Sequence, residues 1–249
     1  MHERISVVKL TAQVAVDDPA IVLIMHEPLP GFRCPSDTGP ERNTQGGRRL
    51  RGATTDQGTN NNTGADHRIA TSNYVGVNSP HRVNEVCQAP GSRPHRGCGI
   101  LRGNSAGLKF ASILDGTSNV LMVGERAWSV FDPATGQYRN SRAATPFAVR
   151  QADAEGSWGV SSAVGGGCNK INDPLGRCNT GNLNITTWSH RQSFSSNHPG
   201  GANFALGDGS VRFLAESIDH SPGNTGNPRT NSLYEMLLNA EDGNPVLLP

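Results

Sequence analysis

The chain lacks any apolar run long enough to cross a bilayer. A membrane-spanning helix needs about 18 or more apolar residues, and the best candidate, Ile21 to Met25, has five. The N-terminus also lacks the basic region and apolar core of a secretory leader. The sequence therefore predicts no membrane span, and it shows no export signal.

Charge of one sign is not in excess either. The formal net charge is +1, the sequence pI is about 7.7, and Lys9, Lys109 and Lys170 are the only lysines. A net charge this small gives no overall positive electrostatic potential that would attract a polyanion, so we expect no nucleic-acid partner.

Aromatic residues make up only 5% of the chain, whereas 30 residues are glycine and 16 are proline. Gly and Pro at this density interrupt long helices and suit turn-rich β structure. No repeat of 20–50 residues is visible, which excludes solenoids and propellers. We therefore expect a mainly β fold of the α+β kind, with an antiparallel sheet and long loops rich in Gly, Asn and Pro.

Closely spaced cysteine pairs of the zinc-binding kind are also missing. Instead, Cys87 and Cys98 enclose one short loop, and Cys168 and Cys178 enclose another. This spacing favours two local disulfides and an oxidising compartment. Cys34 is left over, and we expect it to be a small buried residue.

The first 30 residues predict a strand arm, and residues 31–249 predict the main domain. Apolar and polar residues alternate over residues 5–16, which is typical of a half-buried strand. Asp17-Asp18-Pro19 ends this strand, and residues 20–26 predict a second one. The apolar positions of the first strand are Val8, Leu10, Ala12, Val14 and Val16.

Further elements follow along the chain. Residues 72–77 predict a strand, and residues 120–128 predict a buried central strand. Alternating apolar residues on both sides of Asp208-Gly209 predict a hairpin. Ser232 and Glu235 form a capping-box pattern, which predicts one short C-terminal helix over about 232–240.

Four segments together resemble the planctomycete-type family of pilin-like proteins that is named for a prepilin-processing-associated H-x9-D-G motif. That motif is His198 with Asp208-Gly209. Three preceding segments resemble other motifs of that family, in the same order along the chain. They are Phe32-Arg-Cys-Pro-Ser-Asp37, Ser72-Asn-Tyr-Val-Gly76 and the segment from Asp115 to Arg126, which begins Asp-Gly-Thr-Ser-Asn and ends Gly-Glu-Arg.

The resemblance implies a pilin-like fold and an extracellular or cell-surface location. Members of that family usually begin with a prepilin leader and a hydrophobic helix, whereas this chain begins with the strand arm. We expect the arm to add to the sheet edge of a neighbouring copy, which would build an open helical filament. The alternative is that both strands of the arm pair with their own sheet.

The possible sites also have simpler explanations. His198 with Asp208 could be a metal or catalytic pair, but an imidazole that hydrogen-bonds the Asp carboxylate or a turn amide is the favoured interpretation. Asp115 and Asn119 could bind Ca²⁺, although an Asx-turn explains them as well. Glu125 and Arg126 predict an ion pair at the sheet edge.

No catalytic residue is predicted. A G-x-S-x-G match centred on Ser105 lacks the strand and helix that a nucleophile elbow needs, so we expect no enzyme activity. Sequons at Asn61 and Asn184 would carry glycans only if the host glycosylates the protein.

Two functions remain open. The favoured hypothesis is a structural subunit of an extracellular filament that polymerises with copies of itself. The alternative is a monomeric secreted module that binds carbohydrate or another solute through the loops at 37–66 and 150–187.

Overall fold

The structure, a computed structural model, describes residues 18–45, 48, 50–51, 66–81, 83, 98–102, 108–147, 161–175, 188–221 and 232–246. Several predicted features lie outside these residues and stay predictions. They are the strand over residues 5–16 with Val8, Leu10, Ala12, Val14 and Val16, the cysteines Cys87 and Cys178, Ser105, and the sequons at Asn61 and Asn184.

The described part of the chain is mainly β, as predicted. Its strands are β1 (Leu50–Arg51), β2 (Asp66–His67), β3 (Tyr74–Ser79), β4 (Leu121–Glu125), β5 (Ser129–Asp132), β6 (Gln137–Asn140), β7 (Val164–Gly166), β8 (Gly201–Leu206) and β9 (Val211–Ala215). Its two α-helices are α1 (Pro19–His26) and α2 (Leu233–Leu237). Neither helix combines the length and the apolar character that a bilayer crossing requires.

Five strands form the main sheet in the order β7, β3, β4, β8, β9. The sheet is mixed, whereas an antiparallel sheet is predicted: β3 and β7 run parallel, with Gly76 opposite Val164. The other neighbours in this sheet are antiparallel. A long connection separates β3 from β7, so no hairpin turn dictates their relative direction.

The predicted central strand is confirmed, since β4 lies in the middle of the sheet. Gly124 of β4 lies where a Cβ atom would collide with the rings of Phe194 and Phe204. Those two rings are 5.2 Å apart between centroids and belong to the main core. A glycine here lets the aromatic layer lie directly against the backbone of the central strand.

The predicted hairpin around Asp208-Gly209 is confirmed as β8 and β9. Gly209 has a φ of +84°, a conformation that glycine adopts readily. The Asp208 carboxylate accepts hydrogen bonds from the amide and the hydroxyl of Ser210, at 2.8 and 2.7 Å. The turn is therefore stabilised by its own residues.

Helix α2 confirms the predicted C-terminal helix, although it is shorter than expected. Ser232 occupies the N-cap position, but its side chain makes no capping hydrogen bond, so the capping box does not form. The helix instead gains its stability from burial, because Tyr234 and Leu237 are fully buried in the main core. Burial also raises the pKa of Tyr234 far above its usual value.

The prediction of a strand over residues 20–26 is wrong, because this segment is helix α1. The Asp18 side chain accepts a hydrogen bond from the amide of Ala20 at 2.9 Å, and Pro19 is the first helical residue. An acidic N-cap followed by proline starts a helix. The buried residues Ile21, Val22, Ile24 and Met25 pack with Ile69.

Arg126 is a fully buried guanidinium directly after β4. It donates hydrogen bonds to the carbonyl oxygens of Ser193, Ser161 and Val164 at 2.8, 2.6 and 3.1 Å. Burial lowers the pKa of Arg126 to about 9, which still leaves it protonated at neutral pH. The predicted ion pair with Glu125 is wrong, because the two carboxylate oxygens of Glu125 bond elsewhere.

We expect Arg126→Met to lower the free energy of unfolding by about 3 kcal/mol or more, since three buried carbonyl groups would lose their donors. Arg126→Lys should recover only part of the loss, because an ammonium group cannot reach three separated acceptors in the same way. Urea unfolding measures both. The control is Arg212→Met, at an exposed position; an equal loss in that variant would contradict this role of Arg126.

Candidate functional site

Three residues that are far apart in the sequence meet at one point. The Cys34 Sγ atom lies 3.4 Å from Nε2 of His198, and the same Nε2 lies 3.2 Å from Oε1 of Glu125. Cys34 and Glu125 are buried, whereas the His198 side chain is 31% exposed. We call these three residues the Cys-Glu-His cluster.

Cys34 is positioned by a polar side chain on the neighbouring segment. It follows the 3-10 turn Pro30–Phe32, and its amide donates to Oδ1 of Asn73 at 3.0 Å. The backbone amide of Asn73 in turn donates a hydrogen bond to the Phe32 carbonyl at 2.8 Å. The segment around Cys34 is thereby held against the start of β3.

Glu125 is the last residue of β4. Its Oε2 atom accepts a hydrogen bond of 2.6 Å from the Asn203 amide in β8, which leaves Oε1 directed at His198. Tyr74 is a further neighbour of the cluster: burial raises the pKa of its hydroxyl, and electrostatic repulsion by Cys34 and then by Glu125 adds to this rise.

His198 lies in the loop that precedes β8. Its backbone amide donates a hydrogen bond to Oγ of Ser196 at 3.0 Å, and that hydroxyl donates to the Gly201 carbonyl at 2.6 Å. The Ser196 amide donates to Oδ1 of Asn172 at 2.7 Å. A short network of hydrogen bonds thus fixes the backbone that carries the imidazole.

The geometry of the Cys-Glu-His cluster differs from that of a catalytic triad, in which a histidine links a nucleophile to an acid. Such a triad uses both ring nitrogens of histidine, one toward the nucleophile and one toward the acid. Here Nε2 alone faces both Cys34 and Glu125. A thiol, an imidazole and a carboxylate are all metal ligands, so these three residues could together hold a metal ion.

A groove of about 710 Å³ adjoins the cluster, and His198 lies in its wall. This volume is within the usual range for small-molecule sites, which is roughly 300–1,000 Å³. The polar residues that line the groove include Asn172, Asn197 and Glu216. Asn172 Nδ2 donates a hydrogen bond to Oε2 of Glu216 at 3.1 Å, so two of these side chains are held together.

The hairpin of β5 and β6 also lines the groove. Phe131 and Tyr138 are cross-strand neighbours, with ring centroids 5.4 Å apart in an edge-to-face arrangement. Both are unusually exposed for aromatic side chains, at 48% and 68%. An ion pair of 2.7 Å between Asp132 and Arg139 holds the hairpin beside them. The groove therefore combines an exposed aromatic surface with polar groups.

The structure does not bring the two halves of the H-x9-D-G motif together. His198 precedes β8, and Asp208-Gly209 follows it, so the length of a six-residue strand, about 20 Å, separates them. The expected hydrogen bond from the imidazole to Asp208 or to the turn is absent, because His198 bonds to Glu125 and Asp208 to Ser210. The imidazole therefore belongs to the Cys-Glu-His cluster.

Asp115 and Asn119, the predicted calcium residues, lie in the turn before β4. The Asn119 side-chain nitrogen donates to the backbone carbonyl of Asp115 at 2.8 Å, which ties the two ends of this turn together. Burial raises the pKa of the Asp115 carboxyl to about 6, and the neighbouring carboxylate of Asp242 adds to this rise. A calcium site at Asp115 and Asn119 stays a prediction.

Among the described cysteines, Cys98 and Cys168 are disulfide-bonded. Cys34 is a buried free thiol. The pairing of Cys98 with Cys87 and of Cys168 with Cys178 stays a prediction, because Cys87 and Cys178 lie outside the described residues.

Sequence reasoning named His198 but missed its two neighbours. Cys34 was expected to be only a small buried residue, and Glu125 was assigned to an ion pair. The available signal was that each of the three lies inside a separate motif segment, and that Cys34 is the one cysteine left over by the pairing pattern. Proximity between such distant segments is a long-range property that spacing cannot reveal.

Comparison with known proteins places the chain in a family. No curated protein matches it. No solved structure matches it either. One family model, SBP_bac_10, matches residues 6–221, which is most of the chain, and the protein belongs to that family, which is described as "Protein of unknown function (DUF1559)".

Proposed function

We propose that the protein is a structural subunit of an extracellular filament with a pilin-like fold, in which each copy adds a strand to the sheet of the next. The observation that carries this proposal is the outer edge of β9. It ends the main sheet and has no further strand beside it among the described residues. An edge of this kind offers unpaired backbone groups to another chain.

The side chains of β9 also suit a partner strand. Val211 and Phe213 are 59% and 51% exposed, whereas Leu214, which follows them, is buried in the core. Isolated exposed apolar residues are common in proteins, but two on alternate positions of an edge strand form a row that an added strand could cover. Covering this row would remove apolar area from water.

The proposed occupant is the segment of residues 5–16 from a neighbouring copy. Its apolar residues alternate with polar ones, as a strand that buries one face requires. β9 has five residues, so it can pair with about half of this segment. Donation from each copy to the next is a heterologous contact, which generates an open helical filament.

We expect Val14→Asp to abolish filaments while the monomer stays folded, because the variant places an unpaired carboxylate in an apolar contact. The matched control is Gln13→Asp, which adds the same charge to the other face of the same strand and should still polymerise. Electron microscopy of the purified protein gives the result, and circular dichroism checks folding.

The same experiment can overturn the proposal. Filaments of normal length and number from Val14→Asp would remove the strand-addition mechanism. A wild-type protein that remains dispersed as 26.4 kDa particles at every concentration tried would remove the filament itself.

The groove supports a second candidate, a secreted module that binds carbohydrate. Exposed aromatic rings such as Tyr138 pack against the apolar faces of sugar rings, while amides such as Asn197 hydrogen-bond sugar hydroxyls. Phe131 and Tyr138 supply the rings, and the polar residues that line the groove supply the hydrogen-bonding groups. The two candidates use different surfaces, namely the groove and the edge of β9.

For the second candidate, we expect Tyr138→Ala to weaken oligosaccharide binding about tenfold, which is the loss expected for one aromatic contact of roughly 1.4 kcal/mol. Tyr138→Phe keeps the ring and should retain most of the affinity. Isothermal titration calorimetry with a panel of soluble oligosaccharides measures both. Equal affinity in the Ala variant, or no binding by the wild type, would contradict this candidate.

A further inference from the structure

We propose that Cys34, Glu125 and His198 bind a divalent transition metal ion, with Zn²⁺ as the best match. The three residues carry neither the filament proposal nor the carbohydrate proposal, although His198 also lines the groove. It rests on the three side chains that meet at the start of β8 and the end of β4. The nearest ligand atoms of these side chains all lie within 4.8 Å of one another.

The distances between the atoms suit a tetrahedral ion. Zinc lies about 2.3 Å from a cysteine sulfur and about 2.1 Å from a histidine nitrogen or a carboxylate oxygen. Tetrahedral angles then place sulfur and nitrogen about 3.6 Å apart, and nitrogen and oxygen about 3.4 Å apart. The observed separations are 3.4 Å for Cys34 to His198 and 3.2 Å for His198 to Glu125.

The direction of the imidazole also favours a shared ion. Nε2 faces sulfur and oxygen together, and a neutral imidazole has only one proton to place on that nitrogen, so it can donate to only one of them. An ion between the three atoms would interact with all of them at once. One thiolate and one carboxylate would also balance the double positive charge of the ion.

Other contacts hold the ligands in place, as they do in established metal sites. The second oxygen of Glu125 is bound by the Asn203 amide at 2.6 Å. The backbone of Cys34 is bound by Asn73, and the backbone of His198 is bound by Ser196. The ligands are thus oriented by residues that would not themselves touch the ion.

The site leaves one coordination position for another group. His198 is partly exposed and lies in the groove wall, so water or a bound solute could complete a four-coordinate ion from that side. The hydroxyl of Ser36 lies 3.1 Å from the Cys34 sulfur and is a further candidate. The thiolate argues against Ca²⁺ and Mg²⁺, which prefer oxygen ligands.

The test uses the full chain without a histidine tag, stripped of metal with a chelator that leaves disulfides intact. Titration with Zn²⁺ should give one ion per chain, and Co²⁺ should give a sulfur-to-cobalt charge-transfer band with intense tetrahedral absorption. Cys34→Ser should remove that band. Cys34→Ser and His198→Gln should each weaken zinc binding by at least about 100-fold, more than the loss of an orienting contact.

Two controls separate metal binding from a folding effect. Asp208→Asn changes the other half of the H-x9-D-G motif and should bind zinc like the wild type. Zinc should raise the melting temperature of the wild type, but not that of the Cys34 and His198 variants, because a ligand stabilises only a protein that binds it. Glu125→Gln serves as the second ligand variant if Cys34→Ser does not fold.

Several results would overturn the proposal. One is the absence of a one-to-one complex at micromolar zinc, with the Cys34 thiol shown to be reduced. Another is a cobalt spectrum without the sulfur band. A third is zinc affinity in His198→Gln and Glu125→Gln that equals that of the wild type. None of these results bears on filament formation, which uses the edge of β9.

Discussion

The side chain of Asn73 is the interaction on which the rest of the site depends. Its oxygen accepts from the Cys34 amide, and its nitrogen donates to the Asp37 carboxylate and to the Arg126 carbonyl. The other oxygen of Asp37 accepts from the Trp128 amide at 2.8 Å. These groups are largely buried, so an unpaired member would lose its hydration without compensation. The network therefore joins three motif segments in a single arrangement, and the position of Cys34 follows from it.

The end of β4 places two side chains on opposite faces of the sheet, because neighbouring residues of an extended chain point in opposite directions. Glu125 faces the Cys-Glu-His cluster, and Arg126 faces the interior, where three carbonyl groups surround it. The same two residues thus link the site to the fold. A shift of this strand by one residue would exchange the two directions, which would bury the carboxylate among carbonyl oxygens. The Arg126 contacts therefore maintain the register that presents Glu125 to His198.

Local signals in the sequence predicted local structure well. The Asp208-Gly209 hairpin and the buried central strand needed only turn chemistry and apolar patterning, and both are confirmed. The helix at Pro19–His26 was missed because a short apolar run fits either a strand or a buried helix, and Asp18-Pro19 was interpreted as a strand end rather than as a helix start. The cluster could not be predicted in the same way. Its members are brought together by sheet order and by the Asn73 network, and neither leaves a spacing pattern in the sequence.

Cysteine occurs in two chemical states in this chain, and the difference bears on the metal proposal. Cys98 and Cys168 are disulfide-bonded, whereas Cys34 is a thiol. Disulfides persist in oxidising surroundings, where an accessible thiol is oxidised or exchanged. Burial protects Cys34 in part, and its neighbours are the His198 nitrogen and the Ser36 hydroxyl. A bound ion would occupy the electron pairs of the thiolate and would cross-link the segments that carry the three ligands. One ion would then both preserve the thiol and fix the loop that leads into β8.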